Sequence, residues 1–496
     1  MKVEIRQQFG TSTGVVLIPV AKQGDFKDII TLVASKTGLS DSLINEEFKG
    51  DLKETASFFF KDGSQTHRLI LLGLGENPGF KEMLQSFRSL VFRNKEKFPK
   101  GITLDLEHSN TGAPYQLLEA AVNGMVLGPY DTGKFKTEQN GNKVPEWEDF
   151  TLELIIAGTS GGEENELKQA VRKGQIIAEA QWQMMDLVNA PANKKPPQHL
   201  AAWAIESGRK HGYDVKVYEL KELQEMGMEA LIAVNRGSEH PPVLIVMEYK
   251  PAGTPVKKVG LVGKGVTFDT GGLSLKPSGN MHYMKSDMGG AAAVMGAMEA
   301  ASRLQLPVHL IGVVPSTENS VDANSTKPGD VIGSYSGKTI EVIDTDAEGR
   351  LILADALNYV AKNYQPDFLL DLATLTGSCI RTLGTHAGGL FSNNEALAKT
   401  LYEIGMETGE RLWQLPIWED YQKEMNSDVA DIKNLSSSPA AGAITAAKFL
   451  EFFIEKHPAW AHMDIAGVAF GDSEFSKQKS ATGFGVRLLV EFLEKA

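Results

Sequence analysis

Cysteine is almost missing: the 496-residue chain has one, Cys379. No intramolecular disulfide can form, and such usage fits a reducing compartment. Basic residues are outnumbered, 50 Lys and Arg against 63 Asp and Glu, for a formal net charge of −13. A broad basic face for nucleic acid is therefore not expected, and only local patches remain open to that role. No stretch approaches the roughly 18 uninterrupted apolar residues that a membrane span needs. The opening residues carry Glu4 and Arg6, and the apolar run 15–21 is broken by Pro19, so they read as neither a secretory signal nor a span. The ten histidines contain no His-x-x-x-His pair, so His282, His386 and His462 read as ordinary polar or core residues. Cys379, shortly after an expected strand, reads as a packing residue rather than a nucleophile. The expectation is a soluble, acidic, cytoplasmic protein with no membrane partner and no nucleic-acid partner.

What the chain does contain is apolar sequence in two alternating sets. Hydrophobic residues make up 42% of it, enough for sizeable cores. Apolar and β-branched runs at 15–20, 68–73, 102–106 and 150–156 predict strands, with helical spacing at 80–92 and 115–126. This gives a smaller N-terminal α/β domain at 1–162. The loop 133–143 and the break 158–164 are polar and glycine-containing. A long helical pattern at 166–188 stops where Pro191 forbids continuation, and 163–192 reads as a linker helix. Buried-type strands are then expected at 243–247, 259–262, 308–314, 339–343, 368–372 and 462–465, with helices at 291–304, 351–363, 395–406 and 444–456. The second unit, 193–496, is thus a larger α/β domain with a central mixed sheet covered by helices. The loop 426–442 is rich in Ser and Ala and is expected to border a pocket or an oligomer contact.

Chemistry concentrates in that second domain. Residues 338–343 read as a buried strand, and behind it stand Asp344, Asp346 and Glu348, then Gly349 and Arg350, before an apolar helical pattern. An acidic loop between strand and helix lies at the rim where open α/β sheets bind ligands. Upstream, the strand at 259–262 runs into Gly263-Lys-Gly-Val-Thr-Phe-Asp-Thr-Gly-Gly272, read as a loop whose glycines allow close backbone approach. Lys276 follows, and Met284-Lys-Ser-Asp-Met-Gly-Gly290 opens an Ala-rich helix, with Asp287 near its N-terminus. Asp269, Asp287, Asp346 and Glu348 together offer oxygen ligands without Cys or His, which suits Mg, Mn or Zn in a carboxylate-bridged pair of ions. Taken singly, Asp287 reads as a helix cap, Lys264 as a surface lysine and Arg350 as a partner of the acidic loop. Asp344, Asp346, Glu348, Gly349 and Asp355 also match a calcium loop in outline, but the entering segment is β-branched and the last position is not Glu.

These residues carry a resemblance. Asp344-Thr-Asp-Ala-Glu-Gly-Arg350 resembles the signature of the leucyl aminopeptidase (cytosol aminopeptidase) family, with Asp344 where that signature has Asn. The two blocks quoted above match as well, as do Leu187-Val-Asn-Ala-Pro-Ala-Asn193, Ala373-Thr-Leu-Thr-Gly377 and Trp460-Ala-His-Met-Asp-Ile-Ala-Gly467. The resemblance covers about 185–490 well and the N-terminal third in outline. It implies a catalytic domain at 193–496 that removes N-terminal residues, preferably Leu and other apolar ones, from peptides. It implies two divalent ions per subunit, Mn2+ or Zn2+, held by Lys264, Asp269, Asp287, Asp346 and Glu348. Lys276 would stabilise the oxyanion, and Arg350 would hold a bicarbonate ion acting as general base. Met284, Thr374, Leu375 and Ala466 would border the side-chain pocket. The family assembles as homohexamers. Rival readings are a catalytically weak homologue with a DNA-binding or regulatory role, and a two-metal phosphatase, for which Lys276 and Arg350 are the only strong basic groups at hand.

Overall fold

The computed structural model describes residues 1–22, 26–95, 98–137, 147, 149–156 and 161–496. Residues 138–143 of the polar loop 133–143 and residues 158–160 of the glycine-rich break lie outside them. The chain divides by compactness into Met1–Glu179 and Ala180–Ala496.

In the first unit the sheet runs, in spatial order, Lys2–Arg6, Thr151–Ile155, Gly101–Asp105, Val15–Ala21, Gln65–Gly75, Thr55–Asp62. Neighbours are parallel except for the last pair, a hairpin. Its apolar face, with Val16, Ile18, Leu69 and Leu71 at the centre, is buried under helices such as Lys27–Thr37. Strands Lys2–Arg6 and Thr55–Asp62 were not expected. The latter alternates exposed and buried residues in the manner of a half-covered edge strand.

The second unit is built on a mixed nine-stranded sheet. Its centre is four parallel strands in the order Trp460–Asp464, Phe368–Ala373, Lys257–Gly263, Val308–Asn319. Antiparallel neighbours close both sides, Gly388–Ser392 on one and Val243–Tyr249 on the other. The central strands are buried except at the starts of Lys257–Gly263 and Phe368–Ala373 and near the ends of Val308–Asn319, as continuous Val/Leu/Ile runs require when helices cover both faces. Helices Gly289–Leu304 and Glu348–Tyr364 pack against this sheet through Ala, Val, Met and Leu side chains.

Three expectations are corrected. Residues 338–343 do not enter the main sheet: Ile340–Glu341 alone is strand, in a small sheet between Val331–Ile332 and Ile432–Lys433. β-Branched composition marks extended backbone but not which sheet accepts it. Within the segment read as a glycine-rich loop, Gly265–Asp269 forms a strand on the edge of Val308–Asn319. The helix expected at 444–456 is Gly442–Glu451, and beyond it Glu455 and Lys456 take φ of +53° and +56°, which no helix continues through.

Candidate metal and catalytic site

The site lies at the carboxyl ends of the central parallel strands, the rim favoured for ligands in such sheets. Lys264 leaves the end of Lys257–Gly263. Its backbone is fixed on both sides: its N–H donates to Leu372 O at 3.0 Å, and its carbonyl accepts from Ala291 N at 2.9 Å. That fit needs Gly290, since a Cβ there would lie 1.9 Å from Leu372 O. The glycine lets the helix Gly289–Leu304 start against the strand and aims the Lys264 side chain beneath the site.

Asp269 and Asp287 are each anchored by one oxygen and face a lysine with the other. Asp269, the last residue of its strand, accepts from Gly271 N at 2.8 Å and Asn319 Nδ2 at 2.9 Å on Oδ1. Its Oδ2 faces Lys276 Nζ at 2.8 Å. Asp287, just after the 3-10 turn Met281–Ser286, accepts from Thr374 Oγ1 at 2.8 Å on Oδ1 and faces Lys264 Nζ with Oδ2 at 2.8 Å. Asp346 meets Lys276 Nζ, and its backbone N–H donates to Asp344 Oδ1 at 2.8 Å. Glu348, first residue of the helix Glu348–Tyr364, faces Lys264 Nζ at 2.7 Å with Oε1. Its Oε2 is buried and has no hydrogen-bond partner among the described residues. Ligand oxygens of Asp269, Asp346 and Glu348 all lie within 4.8 Å of one another.

Three of the four carboxyl groups so placed resist ionisation, whereas for Glu348 burial is outweighed by Lys264 and Lys276, which hold its carboxyl below the ordinary range. Burial and the neighbouring charges of Asp269 and Glu348 push the Asp346 carboxyl up to about 7, against the pull of Lys276. Burial, with Glu348 adding to it, raises Asp269 and Asp287 as well. Burial works against the ammonium of Lys264, but Asp287, Glu348 and Asp269 outweigh it and hold the group above its ordinary range. Lys276 is raised in the same way by Asp269, Glu348 and Asp346. If all four carboxyls ionise, the two ammonium groups leave two negative charges to be met in a buried place, and one Glu348 oxygen is bare. That donor set, hard, anionic and mutually repelling, fits divalent cations.

Arg350 is buried, and Nη1 donates to the Asn434 carbonyl at 2.7 Å. Its Nε has no partner among the described residues. Burial brings the guanidinium down to about 10, with Glu348, Asp344 and Asp464 opposing. Of the residues expected at the pocket, Thr374 reaches the carboxylates directly through Asp287, and its carbonyl accepts from Lys264 Nζ at 3.2 Å. Met284 shares the turn that leads into Asp287. Leu375 and Ala466 meet instead at Asp464 Oδ1, to which their N–H groups donate at 3.1 and 3.2 Å. His462 pairs with Asp371 at 2.6 Å inside the core. Burial pushes the Cys379 thiol up to about 12. Sequence reasoning missed Asn319, whose amide ties Asp269 to Thr345 O at 3.0 Å; a lone Asn at a strand end carries no signal of its own.

Known proteins resemble this chain along most of its length. A family model described as "Cytosol aminopeptidase family, catalytic domain" matches residues 183–490. The model for the N-terminal domain of the same family matches 18–139. A "Probable cytosol aminopeptidase" from Chloroherpeton thalassium is 42% identical over 492 residues, 96% of this chain and 96% of that protein. Another, from Chlorobaculum tepidum, is 44% identical over 460 residues, 90% of each. Among solved structures, "Bottromycin maturation enzyme BotP in complex with Mn" superposes with a TM-score of 0.83 at 32% identity, covering 98% of this chain and 99% of that one.

Proposed function

Because the chain belongs to the cytosol aminopeptidase family, a family of metal-dependent aminopeptidases, we propose that it is a two-metal aminopeptidase that releases Leu and other apolar residues from the N-termini of peptides. The observation that carries this reading is the convergence of Asp269, Asp287, Asp346 and Glu348, with one Glu348 oxygen bare and two negative charges unmet. Those four would hold a pair of divalent ions, Mn2+ or Zn2+, and Lys264 would join them only as the neutral amine, its proton displaced when the cations replace it as partner of Asp287 and Glu348. Bound there, the ions supply Lewis-acid activation of water and of the peptide carbonyl.

The chain's own groups do the rest. Lys276, held protonated by its acidic neighbours, donates to the oxyanion that develops on the scissile carbonyl. Arg350, with a bare Nε, would hold a bicarbonate ion, which would supply a general base beside the site. Thr374 holds Asp287 in place. Met284, Thr374, Leu375 and Ala466 border the apolar side-chain pocket, which discriminates by roughly 1–3 kcal/mol per methylene. A free α-amine on the substrate fits a site rich in anionic oxygen. No helix among the described residues is long and apolar enough to cross a membrane. We place the enzyme in the cytoplasm as a homohexamer, which sedimentation at one chain mass would contradict.

Hydrolysis of leucine p-nitroanilide should vanish on chelation and return with Mn2+ or Zn2+. Lys276→Ala should lower kcat by about 10²–10³, the usual loss for one oxyanion donor. Arg350→Ala should lower it in a way that added bicarbonate does not repair. Both variants should keep two metal ions per chain. Chelator-resistant turnover would sink the metal reading, and unchanged turnover in either variant would remove its assigned role.

A further inference from the structure

The Ser/Ala-rich loop at 426–442 contains one polar side chain that the catalytic reading does not use and that is wholly buried, Asn434. It follows the short strand Ile432–Lys433, which runs parallel to Ile340–Glu341 with Glu341 opposite Lys433. Asn434 continues this ladder by donating its N–H to Glu341 O at 3.0 Å. In a parallel ladder the same residue's carbonyl would next accept the N–H two residues further along the partner, here Ile343. It does not. The side chain takes over: Asn434 Oδ1 accepts from Ile343 N at 2.7 Å and from Asp344 N at 3.3 Å. Its Nδ2 donates to Asp344 O at 2.7 Å and to Ala347 O at 3.4 Å. The backbone carbonyl released from the ladder turns away and accepts from Arg350 Nη1 at 2.7 Å.

One residue therefore grips both ends of the acidic turn that carries Asp346 and leads into Glu348, and also holds the guanidinium two residues beyond. We infer that Asn434 is a positioning residue, a side-chain splint that fixes the 343–347 turn and Arg350 in one frame. The inference rests on the proposed metal site but names a role for a residue outside it. Only an amide of this length can serve: it must accept from two N–H groups and donate to two carbonyls from a single planar head. Serine is too short, and aspartate would set an anion against the carbonyls of Asp344 and Ala347.

The test is calorimetric titration with Mn2+, alongside kcat and KM on leucine p-nitroanilide. Asn434→Asp keeps Oδ1 and reverses the donor. It should weaken Mn2+ binding and lower kcat by roughly 10–100-fold each, the usual range for groups that orient metal ligands. KM should move far less. Asn434→Ser serves where the aspartate variant does not fold, and should shift both quantities in the same direction. Asn358→Ala supplies the structural control: that amide is buried on the same helix as Glu348 and donates to Phe453 O at 2.9 Å. Its removal should lower the melting temperature and leave Mn2+ affinity unchanged. A folded Asn434 variant with wild-type affinity and kcat overturns the splint. Failure of the wild-type protein to bind either Mn2+ or Zn2+ overturns the metal reading itself.

Discussion

The sharpest test of the site's packing is a single methyl group at Gly349. This residue is second in the helix Glu348–Tyr364 and lies over the Lys264 side chain. A Cβ there would sit 2.6 Å from Lys264 Cε and Nζ and 2.7 Å from Cδ. Ordinary contact between such atoms is about 3.5–4.0 Å, so Lys264 would have to withdraw by about 1 Å. It has little room to do so, since its side chain is 3% exposed and its ammonium is held at 2.7 and 2.8 Å by Glu348 and Asp287. Withdrawal breaks one of those contacts and turns Glu348 with it. For stability, alanine gains about 1 kcal/mol over glycine in a helix. Overpacking costs about 1–3 kcal/mol. The net loss, about 0–2 kcal/mol, leaves a domain of ordinary stability folded. For catalysis a misplacement of about 1 Å costs on the order of 10²-fold. Gly349→Ala should thus melt within a few degrees of wild type yet lose most of its kcat on leucine p-nitroanilide at saturating Mn2+. A folded variant with kcat within about twofold of wild type would refute the packing argument, because the loss expected from misplacement is far larger.

Thr374→Val keeps the shape and removes the hydroxyl that donates to Asp287 Oδ1. It should weaken Mn2+ binding about 10-fold, read by calorimetry, and an unchanged isotherm would show that Asp287 needs no such anchor. Asp355, at 0% exposure, accepts from Leu231 N at 2.9 Å and Tyr335 N at 2.7 Å. Burial pushes its carboxyl up to about 7 from 3.8 despite those donors. A folded pKa above the unfolded one means that the native state holds the proton more tightly. The stabilisation is therefore full below about pH 4 and is lost as pH rises through about 7. At about 1.4 kcal/mol per pH unit the change is of the order of 4 kcal/mol. Urea unfolding should find the stability deficit of Asp355→Asn largest near pH 4 and shrinking toward pH 7; a deficit that grows with pH would reverse the sign assigned to this group.

The chemistry was more legible than the scaffold that presents it. Asp269, Asp287, Asp346, Glu348 and Lys264 stand in short segments dense with charge and glycine, and the fold brings them within reach of one another. The turn after 343 was harder to place. Its β-branched lead-in predicted a strand of the main sheet, whereas the pairing lies in a small sheet whose partner strand is Ile432–Lys433. Sequence periodicity reports which face of a segment is buried, not which distant segment it pairs with. Gly265–Asp269 was hidden for the opposite reason, since its flanking glycines suggest a loop while Val266 and Thr267 are buried at a sheet edge. Asn434 had no signal at all: inside a run of Ser and Ala, one amide differs from its neighbours only once the backbone around it is known.

The side chains proposed as ligands come from three stretches of chain that only the closed sheet brings side by side. Asp269 ends an edge strand, Asp287 precedes one covering helix, and Glu348 opens another. A nascent polypeptide offers only the acidic run of Asp344, Asp346 and Glu348, without Asp269 and Asp287 to complete the set. Loading must follow folding, so proteolytic competence is withheld from unfinished or damaged copies, and a peptide-cutting enzyme is armed only when its architecture is complete.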